Sequence, residues 1–262
     1  MKAKSCFVVA LICAGRAFGQ TPAPSGPVAL NRVNVNLTVP SLLNPGVGWG
    51  EVSFRGFGGD DKLLYSGLWG AYGIRKGWEL DVRGDAAPNG SFTSSTGESI
   101  RYGGSDIEVL ARYQIPVIGA TIQAGVADPA TPAQNHRLAG VLGASFGFTF
   151  GPSALYIEPK TVFLDHNTLV GIGIGSAAPI ARNIEIMYDW TPMVAGRNAI
   201  DTGTGNRRQT QITGAGLRFK NLTPGLTLDV GLTNGTGITT GMSMTPSLGN
   251  DFGFYVSAGF HF

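Results

Sequence analysis

The side chains in this sequence with chemistry to offer are charged and spaced two apart. Glu79, Asp81 and Arg83 alternate with Trp78, Leu80 and Val82. Asp106, Glu108 and Arg112 fall on the face opposite Ile107, Val109 and Ala111. Glu158 and Lys160, Glu185 and Asp189, Arg218 and Asp229 repeat the pattern further on. A period of two places one set on one face of a strand and the other set on the opposite face. Gathered around a closed sheet, the polar faces predict a charged interior of mixed sign. Such an interior has two uses. Neighbouring strands tie the charges into ladders that fill a narrow barrel, or some of the charges line a pore and select solute. A barrel of this size is compatible with either. Acidic residues outnumber basic ones in the set, which on an open pore predicts a preference for cations or neutral solutes.

Other chemistry is thin. The three histidines are His136, His166 and His261, without His-x-x-His or His-Glu-x-x-His spacing, so no metal site and no cofactor are expected. Gly171 to Ser176 reads GIGIGS, but it lies in an alternating strand with no helix after it, so a phosphate loop is not expected. No Ser–His arrangement stands out, and the chain is not expected to be an enzyme.

Charged residues make up 14% of the 262, where about 25% is usual for a soluble domain, and there are 40 glycines. The start has Lys2 and Lys4, an apolar run from Cys6 to Ala14, and small residues at Ala17 and Gly19. That is the layout of a signal peptide over residues 1–19, cleaved between Gly19 and Gln20. Leu11 and Ile12 before Cys13 do not make a lipidation signal. Loss of Lys2, Lys4 and Arg16 lowers the 19 basic residues to 16 against 17 acidic, so the mature chain is near −1. No basic cluster remains, and no nucleic-acid partner is expected. Cys6 and Cys13 both fall in the leader, which leaves no thiol chemistry or disulfide in the mature chain.

The elements that must position the charges are strands. Residues 20–45 are expected to form a periplasmic lead-in, with Val33, Val35, Leu37 and Val39 alternating in a short strap. Twelve strands are expected from there. The first eight are 46–57, 62–74, 77–84, 105–115, 117–127, 137–151, 153–164 and 168–177. The last four are 183–194, 208–220, 226–236 and 251–262. Connections after the even strands are tight, and most of those after the odd strands are long and polar. The last segment, DFGFYVSAGFHF, sets Phe252, Phe254, Val256, Ala258, Phe260 and Phe262 on one face. Alternation, sorted loops, an even count and an aromatic C-terminal strand predict an all-β, antiparallel up-and-down barrel over residues 46–262. Its apolar face would meet outer-membrane lipid and its polar face the lumen. Facing is poorly defined in the first, second and tenth strands. Aromatics predict two girdles. Tyr72, Trp78, Tyr113, Phe150, Phe219, Phe260 and Phe262 fall near the short turns, and Phe54, Tyr65, Phe163, Trp190 and Phe252 near the loops.

Leu68 to Val82, LWGAYGIRKGWELDV, and Gly103 to Ile115, GGSDIEVLARYQI, resemble successive hairpin segments of a family of outer-membrane transporters grouped with the MetA-pathway phenol-degradation proteins. The Pro45-Gly46 opening and the terminal Phe262 are similar too. Asp128 to Pro132 stands where the family has Pro-Thr-Gly. The resemblance implies a barrel that passes small, often hydrophobic or aromatic compounds. Three functions follow as expectations. The first is a narrow channel or transporter for small solutes in a Gram-negative outer membrane. The second is a structural or adhesive barrel with a closed, salt-bridged lumen and partner-binding loops. The third is a lipid-modifying enzyme. Expected partners are membrane lipid, a small solute, and the barrel-assembly machinery, for which the strand ending in Phe262 would be the signal.

Overall fold

The computed structural model describes residues 33–58, 63–93, 95, 97, 99–128, 138–165 and 167–262. The expected leader, its cleavage point, the lead-in before residue 33, His136 and His166 lie outside them.

Twelve antiparallel strands close into one barrel. They are β1 Gly48–Phe57, β2 Leu63–Arg75, β3 Trp78–Thr93, β4 Ser99–Ile115, β5 Ala120–Asp128 and β6 Ala139–Phe150. The second half is β7 Ser153–Phe163, β8 Leu169–Ala181, β9 Ile184–Thr191, β10 Ile212–Lys220, β11 Leu226–Thr233 and β12 Gly253–His261. Each strand pairs with the next, and β12 returns to β1 from Gly253 opposite Phe57 to His261 opposite Trp49. Closure gives every strand a partner on both sides through the body of the wall, with edges left open only where strands run on at the loop end.

The wall alternates as the sequence does. Leu64, Leu68, Val82, Ile107, Leu142 and Leu232 are exposed on the outside, while the charged residues between such positions are buried within. An uninterrupted apolar belt of this kind suits hydrocarbon. At the short-turn end Tyr72, Phe150, Phe260 and Phe262 are exposed on that face, and Trp78 stacks on Tyr113 with ring centroids 4.7 Å apart. Phe54, Phe163 and Phe252 are exposed nearer the loops. Tyr65 does not join them. It is buried inside the barrel, edge-on to Phe57 at 5.4 Å, because β2 turns Leu64 and Leu68 to the outside and its odd-numbered residues inward.

β1 shows why its facing was hard to see. Its outward positions include Gly48, Gly50 and Gly56, and the rings of Phe262, Phe260 and Phe254 on β12 lie over them where a Cβ would stand. Aromatic rings supply the apolar surface that the glycines lack. The inward positions are Trp49, Glu51, Ser53, Arg55 and Phe57, all buried.

Several boundaries move. β3 and β4 run on past the expected ends, so much of the expected loop 85–104 is hairpin, with a register shift between Ala87 and Gly90. Apart from Phe92, Ile100 and Tyr102 those residues are small or polar, so they carry no sustained lipid-facing signature. β8 continues through Pro179 to Ala181, with its irregularity at that point. β9 is interrupted at Pro192, which has no N–H to give, and resumes as Met193–Ala195 against β8 alone. Arg208, expected to start the tenth strand, instead joins Arg207 in pairing with Ala199–Ile200 in a small loop hairpin.

The largest difference concerns residues 33–45. They are not a strap outside the barrel. They run up inside it.

Candidate functional site

The twelve charged residues expected on the polar face all point into the barrel, and each is nearly or fully buried. Opposite signs meet there. Arg112 Nη1 lies 2.7 Å from Glu79 and 3.8 Å from Asp81. Arg83 lies 2.9 Å from Asp81 and 3.5 Å from Glu108, with its guanidinium over the Trp69 ring. Arg218 grips Asp229 with two donors at 2.8 and 2.6 Å, Lys160 lies 3.3 Å from Glu158, and Lys220 pairs with Glu185 at 2.6 Å. Asp85 and Asp106, by contrast, stand opposite each other across the β3–β4 ladder with no cation between them in register.

Further donors to the wall carboxylates come from the amides and a hydroxyl of two segments that fill the lumen. The first enters at the short-turn end, where Gly46 N donates to Gly73 O and Gly73 N to Val47 O. A side chain at Gly73 would strike the Asn44 carbonyl, so this residue sets the clearance for entry. The segment ends in a two-residue hairpin, Val33–Asn34 against Leu37–Thr38. Val35 at its tip has φ of 37°, a backbone conformation that a β-branched residue adopts only under constraint. The constraint is visible, for Val35 packs with Ala177, Met187 and Tyr255 and its carbonyl accepts from Arg55 Nη2 at 3.0 Å. Along the segment the wall carboxylates take the amides. Asn36 N donates to Asp189, Thr38 N to Glu158 and Leu43 N to Glu79, at 2.7, 3.2 and 2.8 Å. Wall donors take the carbonyls. Arg112 Nη2 donates to Val39 O, Lys160 to Asn36 O and Thr121 Oγ1 to Pro40 O.

The second segment, residues 234–250, dips in from the loop end after β11. Ile238 N and Thr239 N both donate to Asp85 Oδ2 at 2.8 Å. Thr239 Oγ1 donates to Asp106 at 2.7 Å, and Thr240 N to Glu108 at 3.0 Å. Three successive residues thus donate to three carboxylates that would otherwise repel one another. A short 3₁₀ turn at Met242–Met244 then packs Met244 into an apolar layer with Leu110, Val141, Val162 and Leu169. Buried backbone groups must find partners. Here the wall is the partner in place of a strand.

The two inserts meet. Arg55 Nη1 reaches the carbonyls of Gly235 and Gly237 while its Nη2 holds Val35. Lys160 Nζ donates to Asn36 O at 3.0 Å and to Ser243 Oγ at 2.9 Å. Each cation therefore grips both inserts. GIGIGS is a wall surface under this junction. Beside Gly171 lies Met244 of the second insert, and beside Gly173 lies Leu37 of the first. His261 sits at the short-turn end, edge-on to Trp49 at 4.6 Å.

Two solved structures have the same architecture. An outer-membrane channel of Pseudomonas putida F1 superposes with a TM-score of 0.50 at 12% identity, over 84% of this chain and 97% of its own. The NanC porin superposes with a TM-score of 0.52 at 10% identity, over 80% of this chain and 98% of its own. The fold is that of these outer-membrane barrels. At such identities the likeness carries the architecture and no residue roles. No family model matches the chain, and no curated protein is detectably similar in sequence.

The acid excess of the polar faces takes a different meaning from the one its sign suggests. Glu79, Asp106, Glu108, Glu158 and Asp189 each accept from an insert, so the surplus matches amide and hydroxyl donors. Several participants escaped the sequence reading, Lys220 and Thr121 among them. Glu51 and Arg55 were hidden by the glycines that alternate with them, though the spacing Trp49, Glu51, Ser53, Arg55 was there to be read. Asp85 lay one residue past the expected end of its strand. Asn36 and Thr239 carry no local sign that they will be buried.

Proposed function

We propose that the protein is an outer-membrane channel for small solutes, held closed by its two inserts. The observation that carries this is the independence of the wall. The barrel closes by its own strand pairing, and neither insert belongs to any wall ladder. Much of the hold on the inserts is hydrogen bonding to charged wall side chains, a costly way to fill an interior that apolar residues would fill better. Withdrawing them leaves a complete barrel with a polar lumen. The resemblance to the phenol-degradation transporters supports small hydrophobic or aromatic compounds as the solute. Full occupancy of the lumen favours a second reading, a closed structural barrel that works through its loops.

A pair of engineered staples separates the two. In a chain without the leader there is no natural cysteine. A Cβ at residue 171 would stand 3.5 Å from Met244 Cγ, and one at residue 173 would stand 3.4 Å from Leu37 Cγ, which brings each pair within reach of a cross-link. Gly171→Cys with Met244→Cys fixes the second insert, and Gly173→Cys with Leu37→Cys fixes the first. In planar bilayers the parent is expected to show discrete openings. Either stapled chain should be silent when oxidised and active again on reduction. Absence of conductance and of solute flux in the parent would decide for the structural reading.

The position of Phe262 at the barrel seam supports a role for it in assembly. Gly48 N donates to Phe262 O at 2.8 Å and Phe262 N to Gly48 O at 3.1 Å, so the last residue completes the seam between β12 and β1. We expect Phe262→Ala to lower the amount of folded barrel in membranes severalfold while refolding in detergent proceeds normally. Unchanged membrane yield would remove the barrel-assembly machinery as a partner of this strand.

A further inference from the structure

A cavity of about 620 Å³ lies at the loop end, bordered by Asn167, Thr168, Val194, Arg197, Arg207 and Gln209. Its position follows from the strands. β10 begins at Ile212 opposite Thr191, so the continuation of β9 beyond that point has β8 on one side and no strand on the other. Gln209 Nε2 caps part of that open edge by donating to Met193 O at 3.0 Å. Met193 packs against the lumen layer, and Val194, next along the strand, is exposed on the outer side. Thr168 likewise precedes the fully buried Leu169. Val194 and Thr168 therefore give the cavity a border on the outside of the wall. Trp190, on the same outer face, is a loop-end girdle residue four positions below Val194, about 13 Å along the strand and less after strand tilt. Aromatic girdles mark the headgroup region, so the cavity lies level with or just above lipid headgroups.

The chemistry there is cationic and built. Asn167 Nδ2 donates to Arg197 O at 2.9 Å and Arg197 N donates to Asn167 Oδ1 at 2.8 Å, which ties the two bordering loops together. The hairpin of Ala199–Ile200 with Arg207–Arg208 fixes the other side. Arg208 pairs with Asp201 at 3.8 Å, and Asp201 Oδ1 also accepts from Thr204, so that carboxylate is taken. Among the described residues no carboxylate pairs with Arg197 or Arg207. Two guanidinium forks with amide and hydroxyl groups around them suit a phosphate group, which accepts such forks in pairs.

We propose that this rim cavity binds the phosphate of a membrane lipid headgroup. A free phosphate-bearing solute shares that chemistry. The outward face and the height above the girdle favour the lipid, because a solute approaching the lumen would not pass this side of the wall.

The test is native mass spectrometry of the membrane-extracted chain in neutral detergent with equimolar monophosphoryl lipid A. The parent is expected to retain one lipid, and to retain none of the same glycolipid lacking its phosphate. Arg197→Gln with Arg207→Gln should cut retention at least tenfold, while Arg182→Gln at the short-turn end should leave it unchanged. Heat-modifiable migration of the double variant shows that the barrel is intact. Equal retention by the double variant, or of the phosphate-free lipid, overturns the site. Inorganic phosphate binding the parent as tightly as the lipid does, by equilibrium dialysis, overturns the lipid assignment in favour of a free anion.

Discussion

Arg55→Ala is expected to convert a channel that is mostly shut into one that is mostly conducting. Arg55 is the donor for Val35 O in one insert and for Gly235 O and Gly237 O in the other. A hydrogen bond to a charged group contributes about 1.5–3 kcal/mol to the state that makes it. Water admitted on opening would satisfy the same carbonyls, so the full sum does not appear. The loss of even one bond's worth, about 1.4 kcal/mol, shifts a closed–open equilibrium tenfold. Single-channel recording should therefore show at least a tenfold rise in the ratio of open to closed time. Arg55→Lys keeps a charge but not the two-pronged fork, and it should fall between parent and alanine variant. If both variants migrate as folded barrels and gate like the parent, the inserts do not control conduction.

Arg112→Met should be the most destabilising single change in the wall. Arg112 is fully buried, bonded to Glu79 at 2.7 Å and to Val39 O at 2.7 Å, with Asp81 at 3.8 Å. Its removal takes from buried Glu79 the cation at 2.7 Å, while Asp81 keeps Arg83 at 2.9 Å, and breaking a buried pair from one side costs about 3–5 kcal/mol. Adding Glu79→Gln should recover a good part of the loss, since the amide oxygen still accepts from Leu43 N without carrying charge. Lys220→Met offers the contrast. Its pair with Glu185 is partly exposed, with side chains 23% and 10% accessible, and exposed pairs contribute about 1 kcal/mol or less. Urea unfolding followed by tryptophan fluorescence would rank the three. Trp49 and Trp69 lie inside the barrel, so their emission reports on the lumen. Equal midpoints for Arg112→Met and Lys220→Met would contradict the burial argument.

The wall was legible in the sequence because lipid and lumen demand opposite side chains at adjacent positions. Ile107, Val109 and Ala111 against Asp106, Glu108 and Arg112 can satisfy that demand in only one orientation. The inserts were not legible, for a related reason. Val33, Val35, Leu37 and Val39 alternate as a strand does, and nothing local says whether the strand joins a sheet or enters a lumen. Thr236 to Ser247 look like a solvent loop because they are rich in Thr and Ser. The interior they occupy is itself polar, so the usual link between burial and hydropathy gives no signal there. Asp85 was missed at the point where β3 leaves the membrane and its outward residues cease to be apolar.

The grip of Arg55 and Lys160 on both inserts also bears on how the two ends of the barrel communicate. One insert enters from the short turns and the other from the loops, and the same two cations hold each. Loosening either insert removes partners from the cations that retain the other. The free energies of release are then linked, and linkage is reciprocal. A ligand that captures released residues 234–250 must change the release of residues 33–45 by the same factor by which a ligand that captures released residues 33–45 changes the release of the loop. The junction makes the lumen a single two-ended latch, sensitive at each mouth to what happens at the other.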